Sequence, residues 1–356
     1  MAARAAAGRS MVLLKNEGGA LPLDAGAKRI ALIGPLADAR GEMIGPWSAA
    51  GRGEEAVSVL EGLRLAFPNA EIDHVQGVSI DGGDGKAVAE AVAAAKIGDH
   101  VILCIGEAAS MSGEAASRAT IGLPGRQAEL AQAVLQTPKP VTVLLFSGRP
   151  IAMAEVFERA AAVVACWFPG SEAGRAVADL LSGRSNPSAK LAITWPRHVG
   201  QVPIFYAERP GGRPMDTSNK YTSKYLDMPN TPQFPFGHGL SYTRFSLSDP
   251  QVTPGEPLTV TATVTNEGDR SGTTTVFLFI RDPVASVSRP VLELKRFETL
   301  ALGRREARQI TFTLSREDFA FLDRNLQSVV EPGAIEIHLG FAADRTKLRS
   351  TTVQID

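Results

Sequence analysis

The spacing of apolar positions changes character twice along the chain. From about residue 28 to 200, short continuous apolar runs alternate with stretches of helical spacing. The runs at 28–34, 72–76, 101–106, 141–146 and 162–168 read as strands buried on both faces. Residues 57–67 place Val57, Leu60, Leu63 and Phe67 on one helical stripe and stop at Pro68-Asn69. Residues 85–96, 127–135 and 174–181 read as further helices. Strands alternating with helices indicate an α/β fold: a mainly parallel sheet covered on both faces. Residues 201–244 lose all periodicity and carry several Pro and Gly, with Tyr221 and Tyr225 among them. This stretch reads as an extended connector held down by aromatic contacts. From 245 the period becomes two. Residues 258–266 alternate strictly and then turn at Glu267-Gly268-Asp269; 273–280, 307–314 and 334–339 follow as strands. Short strands between turn signals indicate a second, all-β antiparallel sandwich. The expected layout is therefore a lead-in at 1–27, an α/β sandwich at 28–200, the connector at 201–244 and the all-β domain at 245–356.

Composition narrows the function classes. A net charge of −1 creates no field to attract nucleic acid or an anionic membrane, so neither is expected as a partner. Five His and two Cys leave little for a metal site, and no cofactor or metal is expected. Cys104 and Cys166 lie in apolar strand-like runs without CxxC spacing. Buried free thiols are the favoured reading, a disulfide the other. No apolar run approaches the ~18–20 residues of a membrane span. The first seven residues lack the apolar core of a signal peptide.

One loop concentrates the chemistry. The run Val101-Ile102-Leu103-Cys104-Ile105-Gly106 ends in Glu107, and a long Gly-containing segment follows before the helix at 127–135. Open α/β sheets place functional groups at the carboxyl ends of their strands. This loop holds Glu107, Ser112, Glu114 and Arg118. A carboxylic acid there is a candidate proton donor, and a neighbouring Arg can set its pKa or hold a substrate oxygen. Other motif readings fail. Gly34-Pro35 after the first strand has no GxGxxG continuation. Ser171 lacks the flanking glycines of a GxSxG elbow.

The segment Gly113-Glu114-Ala115-Ala116-Ser117-Arg118, with Leu123-Pro124, resembles glycoside hydrolase family 3, the β-glucosidases and β-xylosidases. The resemblance extends over almost the whole chain. Arg9-Ser10-Met11-Val12-Leu13-Leu14-Lys15-Asn16-Glu17, Gly45-Pro46-Trp47-Ser48, Trp167-Phe168-Pro169-Gly170 and Asn186-Pro187-Ser188-Ala189-Lys190-Leu191 continue it. Phe234-Pro235-Phe236-Gly237-His238-Gly239-Leu240-Ser241-Tyr242 is its most recognisable signature, and the bacterial periplasmic β-glucosidases are the most similar branch. The resemblance implies the family's α/β sandwich domain followed by its fibronectin type III-like domain, whose edge Arg289-Pro290-Val291-Leu292-Glu293-Leu294-Lys295-Arg296-Phe297 matches. It also implies a missing N-terminal (β/α)8 barrel, as in a fragment or a split gene product.

The function implied is the C-terminal part of a retaining β-glucosidase (EC 3.2.1.21) acting on β-glucosides or oligosaccharides. The nucleophilic Asp would lie in the barrel, and the general acid/base would be Glu114, four residues before Arg118. Glu107 is the runner-up; its other reading is an acid that accepts backbone N–H bonds at a strand end. One departure is Ser117, where many family members have Asp. Arg118, Ser112 and Glu107 are the supporting candidates, although Arg118 can equally pair with Glu114 or Glu107. Trp47 is read either as a stacking platform on the active-site rim or as a packing aromatic. His238 is read as part of a structural turn. The alternatives in function are a β-xylosidase of the same family and a non-catalytic carbohydrate-binding or stabilising module. The resemblance also implies a periplasmic or secreted full-length parent and allows a homodimer. Taken alone, the chain is expected to be catalytically incomplete, because an acid without a nucleophile supplies half of a double displacement, and to self-associate.

Overall fold

A computed structural model describes residues 1–356. The chain divides into two compact units: one of residues 1–189, 196–202 and 239–242, the other of 190–195, 203–238 and 243–356.

The first unit is a six-stranded sheet flanked by helices. Its elements run α1 (Ala2–Ser10), β1 (Val12–Asn16), β2 (Arg29–Ile33), α2 (Arg40–Met43), α3 (Val59–Ala66), β3 (Glu71–Val75), α4 (Val88–Ile97), β4 (His100–Gly106), α5 (Gln127–Leu135), β5 (Val141–Phe146), α6 (Ala154–Arg159), β6 (Ala162–Ala165) and α7 (Ala173–Leu181). The strand order is β1-β6-β5-β4-β2-β3. All neighbours are parallel except β1, which joins β6 antiparallel. Residues 1–27 thus contribute a helix and an edge strand to the sheet. Val101 to Ile105 and the whole of β5 are buried, as continuous apolar strands between two helix layers require. One face packs Ile30, Leu32, Ile102, Cys104, Leu144 and Val164 against Leu60 and Leu63 of α3 and Val177 and Leu181 of α7. Ser58 starts α3 with a reciprocal capping box to Glu61. Cys104 and Cys166 are both buried and free, and burial pushes each thiol pKa upward.

The chain leaves β2 toward β3 on one side of the sheet and returns through β4 to β5 and β6 on the other. The carboxyl ends of β2 and β4, adjacent and parallel, therefore mark the point where the winding reverses. That is where open α/β sheets form a crevice. The strand expected over 162–168 ends instead at Ala165. Trp167 takes φ 57°, outside the extended region, and turns the chain at the same sheet edge.

The second unit holds β7 (Phe245–Leu247), β8 (Gln251–Thr253), β9 (Leu258–Asn266), β10 (Gly272–Arg281), β11 (Glu293–Leu302), β12 (Ala307–Leu314), β13 (Phe321–Leu322), β14 (Ser328–Val329), β15 (Gly333–Gly340) and β16 (Arg349–Ile355). Antiparallel sheets β11-β10-β15-β16 and β12-β9-β7, with β8 also on β9, bury one core containing Val260, Val264, Leu278, Ile310, Ile337 and Leu339. β9 alternates buried and half-buried residues along its length, and β11 lies at the end of its sheet. β10 does not alternate: Thr274 to Ile280 are all buried. Its outer face is covered by Tyr206 and Phe236, whose rings lie 5.6 Å from Phe279 and 5.4 Å from Phe277 respectively. These rings belong to the segment without periodicity, so the aromatic tethers of that segment are Tyr206 and Phe236. Tyr221 is 70% exposed.

Candidate active site

Gly106 ends β4 in a conformation that no side chain tolerates. Its φ is +141°, and an added Cβ would sit 1.8 Å from the carbonyl oxygen of Phe146. The strand end is stitched by Gln127, the first residue of α5 and fully buried. Gln127 Oε1 accepts from Gly106 N at 2.8 Å, and its Nε2 donates to the carbonyls of Gly106 (2.7 Å) and Ile80 (2.6 Å). Glu107 N donates to Phe146 O at 2.8 Å. The backbone at this strand end is thereby satisfied without the Glu107 carboxylate.

That carboxylate is fully buried and takes side-chain donors instead. Arg118 Nη1 donates to Oε1 at 2.6 Å; Ser147 Oγ and Ser112 Oγ donate to Oε2 at 2.8 and 3.0 Å. Arg149 Nε lies 3.1 Å from Oε1 and 3.2 Å from Oε2. Burial alone would raise the pKa of Glu107. The Arg118, Ser147 and Ser112 hydrogen bonds and the Arg149 charge outweigh it, so the net shift is downward and Glu107 is held as an anion. The reading of Glu107 as a backbone N–H acceptor is therefore corrected: Gln127 and Phe146 serve that backbone. Arg118, open between two partners in the sequence, pairs with Glu107.

Arg149 makes two further connections to the loop. Its Nη2 donates to Met111 O and, at 2.8 Å, to Ala116 O. The Ser112 hydroxyl also accepts from Gly148 N at 3.2 Å. On the opposite side, Glu42 Oε2 accepts from Ala109 N at 2.5 Å. The loop after β2 closes against the turn: a Cβ on Gly113 would meet Pro46 at 3.1 Å and Trp47 at 3.6 Å.

Glu114 occupies the exposed apex of that turn and makes no hydrogen bond or ion pair. Ala115, next to it, adopts φ 57°, a left-handed conformation that costs about 1 kcal/mol for a residue with a Cβ. Trp47 is 74% exposed beside the turn. The structure thus gathers Glu107, Ser112 and Arg118 into one buried cluster and places Glu114 and Trp47 on the open surface above it. His238 lies elsewhere. Its ring stacks on Phe234 at 4.6 Å and its carbonyl accepts from Leu191 N at 2.8 Å, as a turn residue would.

Sequence reasoning missed Gln127, Ser147 and Arg149. The available signal was positional: Ser147-Gly148-Arg149 follows the neighbouring parallel strand at the same carboxyl edge. Nothing in their spacing announces a carboxylate 40 residues earlier.

A parallel sheet bearing a carboxylate loop at its winding reversal, followed by an antiparallel sandwich, matches one known family. The chain belongs to glycosyl hydrolase family 3. Residues 11–242 match the glycosyl hydrolase family 3 C-terminal domain, and residues 274–343 match the fibronectin type III-like domain. The periplasmic β-glucosidase of Salmonella typhimurium is 38% identical, covering 97% of this chain and 49% of that protein. A β-xylosidase of Formosa agariphila is 35% identical over 98% of this chain and 49% of its own length. The crystal structure of β-glucosidase from Listeria innocua in complex with glucose superposes with a TM-score of 0.92 at 40% identity, covering 99% of this chain and 49% of that one. The chain spans about half the length of these relatives. No helix is long and apolar enough to cross a membrane.

Proposed function

We propose that this chain carries the general acid/base of a retaining β-glucosidase and that Glu114 is that residue. The observation that carries the reading is the contrast between the two carboxylates of one loop. Glu107 is buried and already engaged by four side chains, so it cannot reach a leaving group. Glu114 is exposed at the apex and engages none.

A retaining glycosidase needs a second carboxyl group about 5–5.5 Å away as nucleophile. That Asp is assigned to the N-terminal barrel of the full-length enzyme. In the first half-reaction, Glu114 protonates the departing glycosidic oxygen while the nucleophile forms the glycosyl ester. In the second, the Glu114 carboxylate removes a proton from the water that releases the sugar. Trp47, exposed beside the turn, offers an apolar face for a sugar ring. Taken alone, the chain should turn over no glycoside at a useful rate. The periplasm is the proposed location, after the Salmonella relative.

The test compares leaving groups. In the gene product that carries this chain, Glu114→Gln should cut kcat/KM roughly 10²–10⁴-fold on a β-glucoside with a poor, alkyl leaving group. A 2,4-dinitrophenyl glucoside needs no protonation and should lose far less in the glycosylation step. Equal losses on both, or none, would refute the assignment. The β-xylosidase reading is favoured by the Formosa relative. A higher kcat/KM on p-nitrophenyl β-xyloside than on the β-glucoside would select it.

A further inference from the structure

The acid/base loop is long, yet its backbone does almost nothing to hold it. Residues 113–120 belong to no helix or strand, and no backbone–backbone hydrogen bond ties them to another segment. Ordering such a segment costs about 1–2 kcal/mol per residue in backbone entropy. Without fixed anchors its apex would sample many positions, and a general acid must be held within about 0.5 Å of its productive place.

The anchors that the structure does show converge on one side chain from a different loop. Arg149 sits three residues beyond β5. Its guanidinium donates to the carbonyls of Met111 and Ala116, one on each side of the Gly113–Ala115 turn, and to the buried Glu107 carboxylate. Glu107 also holds Arg118 below the turn and Ser112 at its start. The geometry points to Arg149 and Glu107 as positioning residues: Arg149 fastens both shoulders of the turn, and Glu107 fixes the Arg149 guanidinium, so that the carboxyl group at the apex stands in one place. The catalytic half of this inference rests on the Glu114 reading; the mechanical half does not.

The residue type matters as much as its charge. Bridging two carbonyls and a carboxylate at once requires the planar fork of a guanidinium, which Lys lacks. Lys at 149 keeps the positive charge beside Glu107 and loses the simultaneous reach. A loop held by charge alone would tolerate this change, whereas a loop held by the fork would not.

The first readout uses the chain itself. Backbone 15N order parameters for 113–118 should lie near about 0.85 in the parent, the value for a rigid backbone, and fall below about 0.6 in Arg149→Lys and in Glu107→Gln. Those of β4 and β5 should stay unchanged, which also shows that both variants fold. The second readout uses the gene product that carries the chain. There Arg149→Lys should lower kcat/KM, which reports the glycosylation step, roughly 10–100-fold on an alkyl glucoside and less than about threefold on the dinitrophenyl glucoside. Order parameters unchanged in both variants would overturn the clamp. A loosened loop with no leaving-group split in Arg149→Lys, where Glu114→Gln does show one, would overturn its catalytic role and leave the Glu114 reading intact. No split in either variant would sink the Glu114 reading and leave the clamp standing.

Discussion

Each unit of this chain has a wholly buried polar side chain that gathers several hydrogen-bond partners at a loop, and the two, Asn266 and Glu107, differ in kind. In the all-β unit it is Asn266, the last residue of β9. Its amide donates to the carbonyls of Arg270 (2.7 Å) and Gly303 (2.8 Å), and its carbonyl oxygen accepts from Thr243 Oγ1 (2.6 Å) and Gly268 N (3.1 Å). In the α/β unit it is Glu107, whose partners are two guanidinium groups and two hydroxyls. A neutral amide matched mainly to backbone groups closes a pair of turns and asks nothing else of its surroundings. A buried anion must draw cations to itself, and those cations bring loops with them. The comparison shows why the chemistry gathers at one hub: Asn266 finishes a fold, whereas Glu107 positions a surface that the fold alone would leave loose.

The difference can be broken most forcefully at Glu107. Glu107→Ala leaves Arg118 and Arg149 partly buried without their anion and should lower unfolding stability by about 3–5 kcal/mol, read from urea unfolding followed in the α/β unit. Asn266→Ala removes no charge. It leaves several turn groups of the sandwich unmatched and should cost about 1–3 kcal/mol, with the change confined to the all-β unit in residue-resolved hydrogen exchange. Equal costs at the two positions would erase the distinction between them.

Acid separates the hubs more gently. Because its folded pKa is depressed, Glu107 contributes stability that is fully present above the ordinary glutamate pKa near about 4.3 and is lost as pH falls through its lower folded value. The urea midpoint of the α/β unit should therefore fall with acidification below about pH 4, and less so in Glu107→Gln. Asn266 has no proton to gain, so Asn266→Ala should leave the shape of the acid limb unaltered. The smallest expected effect lies at the surface. Trp47→Ala should change stability by less than about 0.5 kcal/mol while weakening glucoside binding, measurable as a rise in KM. A large stability loss would make Trp47 a packing residue instead.

Much of this architecture was legible in the order of the amino acids because period and burial coincide. The expected spans 127–135, 141–146, 258–266 and 307–314 are the observed α5, β5, β9 and β12. β1 escaped because five residues beside a helix carry no period of their own; pairing with β6 makes them a strand. The run at 162–168 misled because Cys166 and Trp167 are apolar for packing at a turn, a distinction hydrophobicity does not encode. At the site, Glu107, Ser112, Glu114 and Arg118 share one loop and were visible together. Gln127, Ser147 and Arg149 reach it from other elements. Their roles depend on register between β4 and β5, where Gly106 pairs with Phe146, and the chain order does not display that register.

The account depends most on Glu114 being the group that gives and takes the proton. The most direct measurement is azide rescue of Glu114→Ala in the gene product that carries this chain, with 2,4-dinitrophenyl β-glucoside as substrate. Azide needs no base to attack a glycosyl-enzyme ester. The expected result is slow turnover that azide accelerates, with β-glucosyl azide of retained configuration as the product. Turnover close to the parent, with no acceleration and no glycosyl azide, would contradict it.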